Sequence, residues 1–139
     1  MEGCGGGDTA RPRGVGPLTA FSLLAGRRVL LDSMAFVYLL EQVPRYYSAV
    51  STIFREVKEG SLQAHASSLV FAELLVHPYR SGNPALAAAT FATLRSYDNL
   101  EWVDPSPAIA REAARLRAAY SLRTPDAVHV ATALSVKAD

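Results

Sequence analysis

A chain of 139 residues, half of them hydrophobic and 19% charged, has the composition of one globular domain and lacks the charge-rich, aromatic-poor signature of a disordered chain. Its formal net charge of +1 excludes the broad basic surface by which proteins hold duplex nucleic acid through phosphates, so any nucleic-acid contact must be local. The single cysteine, Cys4, excludes an intrachain disulfide and a cysteine-rich zinc site and suits a reducing compartment.

Residues 1–26 hold six of the nine glycines ahead of Gly26, which is a seventh, and show no sustained period. They read as a mostly disordered leader, or as a start site placed too far upstream. The domain is expected over residues 27–139, beginning with RRVLLD, a short apolar run that ends in a carboxylate and reads as a buried strand. SMAFVYLLEQ then reads as a helix capped by Ser33, and Pro44 separates it from a second helix, YYSAVSTIFREVKEG. In the second helix Tyr46, Val50, Ile53, Phe54 and Val57 recur at helical spacing, with Gly60 as the stop. LQAHAS is a further strand, SSLVFAELLVH a helix ending near Pro78, ALAAATFATLRSY another helix, and EWVD a short strand. In the helix PAIAREAARLRAAY, residues Ile109, Ala113, Leu116 and Tyr120 share one face. TPDAVHVATALSV closes the chain, with Thr124 as N-cap and Pro125 at the first helical position.

Strands alternating with helices, joined by connections long enough for crossovers, imply an α/β fold with a parallel sheet covered on both faces. No apolar stretch reaches the roughly 20 residues of a membrane span, and Asp32 follows Arg27 and Arg28 too closely for a signal peptide. A cytoplasmic protein without membrane contact is therefore expected. The arginines at 111, 115, 117 and 123 read as a solvated helix face in preference to an RNA track.

Three carboxylates stand in unusual company. Asp32 is the only charge between Val29 and Leu40, Glu73 the only one between Leu69 and Val76, and Asp126 precedes eight residues without formal charge. An acid buried in such surroundings must protonate, pair with a cation or bind metal. Asp32 falls at the carboxyl end of a predicted strand, where open parallel sheets place their ligand crevice. Asp126 falls in a first helical turn, where unpaired N–H groups favour the ionised form. Singly, each has an ordinary reading: a helix cap for Asp32, an ion pair with a distant arginine for Glu73, a first-turn acid for Asp126. Together, oxygen ligands without a cysteine or histidine cluster point to a hard cation, Mg²⁺ or Mn²⁺.

VLLDSMAFVYLL, SSLVFAELL and LRTPDAVHVATAL resemble, in this order and separation, the first three motifs of the PIN-domain family, in particular its VapC-type toxin ribonucleases. The resemblance covers about residues 27–139. It implies a three-layer α/β/α fold with a small parallel sheet, clustered acids that bind one or two divalent ions, and hydrolysis of RNA phosphodiesters. Carried over residue by residue, Asp32, Glu73 and Asp126 match the first three family acids, and Ser33 matches a small hydroxyl residue beside the first. The fourth family acid lies in a strand-ending motif of threonine, asparagine and aspartate that does not occur here. Asp139 aligns just before that strand and is not counted as a ligand. The domain is accordingly expected to lack its last strand, leaving about three strands, with the Asp32 strand at one side and EWVD at the other.

A divalent ion in such a site lowers the pKa of a bound water and neutralises charge developing on the phosphoryl group. With three acids in place of four, a second ion is not expected. His129, three residues after Asp126, reads as a packed, hydrogen-bonded histidine in preference to a general base. Arg123 suits either a substrate phosphate or the surplus acid charge, with Thr124 beside it. The resemblance also implies a cognate antitoxin protein and a homodimer. The alternative is a catalytically impaired PIN fragment serving as a protein-interaction or RNA-binding module. A phosphatase of the haloacid-dehalogenase type, which also begins from a strand-ending aspartate, needs a second aspartate where Met34 stands.

Overall fold

The computed structural model describes residues 24–139. The expected leader therefore lies largely outside the described residues, which begin with a turn at 24–26. That turn already belongs to the fold: Leu24 packs against the core, the Arg27 N–H donates to the Leu24 carbonyl (2.8 Å), and the Gly26 N–H donates to the Ser61 carbonyl (2.7 Å). Gly26 has φ +74°, a conformation that side-chain-bearing residues rarely adopt.

The elements follow as β1 (Arg28–Leu30), α1 (Ser33–Leu40), α2 (Pro44–Lys58), β2 (Gln63–Ser67), α3 (Leu69–Leu74), α4 (Val76–Arg80), α5 (Pro84–Arg95), β3 (Leu100–Val103), α6 (Pro107–Tyr120) and α7 (Thr124–Ser135). The three strands form one parallel sheet in the order β1-β2-β3, with Leu30 opposite His65 and His65 opposite Glu101. Alternation along β2 divides the molecule into layers, because successive strand side chains point to opposite faces. Ala64 and Ala66 join Phe36 of α1, Phe54 and Val57 of α2, Val70 of α3 and Leu94 of α5 in the larger core. On the opposite face Val103 packs with Ile109, Ala113 and Leu116 of α6 and with Ala127 and Ala131 of α7. Helix α7 lies against both β1 and β2. This is the parallel sheet covered on both faces that the alternation of strands and helices implied, in the three-layer α/β/α form that the resemblance implied.

Several boundaries differ from the sequence expectation. Pro44 does not separate two helices but opens the second at its first turn, where the missing N–H has no intrahelical partner to lose. The expected single helix ending near Pro78 is two short helices broken at Leu75, with Pro78 in the first turn of α4 for the same reason. Ser33 is not the cap of α1, since Asp32 holds that position, and Thr124 is the first residue of α7 with Arg123 at the cap. Tyr120 continues the helical spacing of Ile109, Ala113 and Leu116 but is 68% exposed, because it lies in the last turn of α6, beyond the reach of the second core. Among the described residues no helix is long and apolar enough to cross a membrane.

Candidate active site at the carboxyl end of the sheet

β1 ends at Leu30, Leu31 is buried, and the chain then turns outward so that Asp32 adopts an extended conformation before α1. The Ala35 N–H donates to its Oδ1 at 3.3 Å, so Asp32 is the N-cap of α1. One strand away, Ser67 ends β2 fully buried, and its hydroxyl accepts from the Leu69 N–H at 3.2 Å. This short local bond turns the chain from the strand into α3 and so brings Glu73, one helical turn after Leu69, above the sheet. Ser67 had no mark in the sequence beyond being a serine at a strand end.

Glu73 does not stand alone among apolar residues. Its Oε2 lies 2.8 Å from Nε2 of His129, a side chain 8% exposed on α7. Fifty-six positions separate the two, and the pair joins a helix of the larger core to a helix of the smaller one. Nδ1 of His129 is buried without a hydrogen-bond partner among the described residues. One turn before His129, Asp126 occupies the first turn of α7, and Arg123 donates from Nε to its Oδ2 at 3.1 Å. Both members of that pair are exposed, so its contribution to stability is small. Thr124 is exposed at the start of α7, and Ser33 is partly exposed in the first turn of α1.

The expected burial of all three carboxylates is not realised. Asp32 and Asp126 are exposed and the Glu73 side chain is 28% exposed. Glu73 and Asp126 lie on helices, whose successive side chains project about 100° apart, so their apolar neighbours enter the cores while the acids do not, and Asp32 lies past the end of β1 at the cap of α1. What the three share is a tether: each is engaged through one oxygen by a donor, namely the Ala35 N–H, His129 or Arg123. Asp139 lies elsewhere, beside the opposite end of β1, where its N–H donates to the Arg28 carbonyl and its Oδ2 accepts from the Arg28 N–H, both at 2.8 Å.

Among the described residues no three Asp, Glu, His or Cys side chains lie close enough together to cage a metal. The donor chemistry nevertheless fits Mg²⁺ or Mn²⁺. Such hard ions take carboxylate oxygens, and Mg²⁺ is commonly held by one or two carboxylates with water and substrate phosphate, not by a closed protein cage. Arg123 beside Asp126 supplies a guanidinium suited to a phosphate.

Compared with known proteins, the chain matches the PIN domain family over residues 29–139. Among solved structures it is similar to a toxin-antitoxin complex from Klebsiella pneumoniae, at 21% identity and a TM-score of 0.58, with 80% of this chain and 82% of that chain covered. No curated protein matches the sequence.

Proposed function

Because the chain belongs to the PIN-domain family, we propose that it is a divalent-metal-dependent endoribonuclease and the toxin of a toxin–antitoxin pair. The observation that carries this reading is the disposition of Asp32, Glu73 and Asp126, each tethered through one oxygen by a separate donor. Family membership supports hydrolysis of nucleic acid, and the likeness in fold to a chain of a toxin-antitoxin complex supports an antitoxin partner.

Asp32, Glu73 and Asp126 would hold Mg²⁺ or Mn²⁺, which when bound acidifies a water and offsets charge on the phosphoryl oxygens. The remaining work belongs to the chain itself. The α1 cap fixes Asp32 at the strand end, and His129 fixes Glu73. Arg123 is placed to exchange its bond with Asp126 for a substrate phosphate oxygen, a bidentate geometry that guanidinium favours. The net charge of +1 supplies no long basic track, so unpaired RNA, which needs few phosphate contacts and offers accessible bases, is the substrate class.

RNA with unpaired segments should be cut only when Mg²⁺ or Mn²⁺ is present and should survive with Asp32→Asn. Duplex DNA cut equally well would contradict the substrate class. A second reading, a PIN domain serving as an interaction module, is favoured by the lack of a three-ligand cluster among the described residues. RNA or protein binding without cleavage in either metal is the result that would select it.

A further inference from the structure

We infer that His129 is the positioning residue for Glu73, donating from Nε2 to Oε2 so that the other carboxylate oxygen is presented to the cation. The inference rests on the metal-dependent reading of the site and assigns one residue's task within it.

Glu73 sits in a helix of six residues that breaks at Leu75, so its backbone is anchored by little more than one turn. A free glutamate also retains considerable rotamer freedom, whose loss on ordering costs up to about 2 kcal/mol. The His129 ring supplies what that short helix lacks. It is buried, rotates about only two torsions, and reaches Glu73 at 2.8 Å from the opposite helix layer. It also stands three residues after Asp126 on α7, a rise of about 4.5 Å along the axis. Asp126 and the tether of Glu73 thus share one rigid element, and the spacing of the two carboxylates is set by a single turn of helix.

The unpartnered Nδ1 supports the same conclusion. A histidine kept for packing alone is better replaced by an apolar side chain that leaves no buried nitrogen unsatisfied. The bond to Glu73 is the one polar contact this ring makes among the described residues. Donors that orient ligating carboxylates or histidines commonly change metal affinity by about 10–100-fold when removed.

The test is Mn²⁺ binding to the full chain without RNA, followed by calorimetry or by the Mn²⁺ electron paramagnetic resonance signal, beside thermal melting of the metal-free forms. His129→Leu keeps the apolar volume and removes the donor, while His129→Gln keeps a donor. The expected result is Mn²⁺ affinity lowered about 10–100-fold in His129→Leu, recovered in large part by His129→Gln. In a Glu73→Gln background, His129→Leu should have no further effect. Wild-type affinity in His129→Leu, or equal weakness in the Leu and Gln variants when both are folded, would overturn the assignment while leaving the metal reading intact. Failure of the wild-type chain to bind Mn²⁺ would overturn both.

Discussion

Under the proposed function Asp32 has a second job besides its cap, and substitution can separate the two. As N-cap of α1 it accepts from the Ala35 N–H, a role that asparagine also fills well, whereas alanine at such a cap costs about 1 kcal/mol. Asp32→Asn should therefore abolish metal-dependent cleavage at unchanged melting temperature, and Asp32→Ala should abolish it while also lowering chemical-denaturation stability by about 1 kcal/mol. A cleaving Asp32→Asn variant would remove this residue from the site. Tyr97 gives a pH dependence of known sign. Burial in the first place, and then the Tyr47 phenolate, raise its pKa above the ordinary 10.0. A group whose folded pKa is raised contributes stability that is fully present below its unfolded value and is lost as pH rises through the folded one. Unfolding free energy should accordingly fall at alkaline pH above about 10, and Tyr97→Phe should flatten that fall. An identical alkaline slope in the two proteins would exclude Tyr97 as its source.

At the scale of elements, α6 shows how spacing and burial part company. Ser106 caps it through the Ile109 N–H, Pro107 opens it, and Ile109, Ala113 and Leu116 enter the second core. Leu116→Ala should cost about 2–5 kcal/mol, because the cavity lies between α6 and α7 where neither helix can collapse onto it. Tyr120→Ala, on the same helical stripe, should stay within about 0.5 kcal/mol of wild type. Urea unfolding of both variants checks the pair, and similar losses at the two positions would mean that Tyr120 is covered in solution. The break at Leu75 follows from the same local chemistry. Pro78 has no N–H to donate back to Leu74, so α3 ends and a new helix starts with the proline in its unbonded first turn.

For the whole molecule, the proposed site draws on residues from both helix layers near the carboxyl ends of the strands. Asp32 comes from the β1 end, Glu73 from a helix of the larger core, and Asp126 with His129 from the helix that crosses β1 and β2. A ligand that binds the folded chain and not the unfolded one stabilises it by mass action, about 2.7 kcal/mol at a hundredfold excess over its dissociation constant. Millimolar Mn²⁺ should therefore raise the melting temperature of the wild-type chain and leave that of Asp32→Asn unchanged or nearly so. A melt indifferent to Mn²⁺ in the wild type would count against a usable site.

The sequence by itself determined the alternation of strands and helices, the parallel sheet with β1 and β3 at its two sides, and the helical faces around Val50, Phe54, Ile109 and Ala113. The elements and helical faces follow from local periodicity and from proline and capping chemistry, which act within a few residues, whereas the places of β1 and β3 in the sheet were implied by the resemblance to the PIN-domain family. It also marked Asp32, Glu73 and Asp126 as unusual, through their place in three motifs. Only the tertiary structure decided how those acids are held. Nothing in either segment announces that His129 meets Glu73 from fifty-six positions away, because that bond depends on two helices from opposite faces of the sheet reaching the same strand ends. Exposure was equally out of reach: an apolar sequence neighbourhood says what the neighbours bury, while a helix turns Glu73 and Asp126 about 100° away from them and the strand end leaves Asp32 at a helix cap.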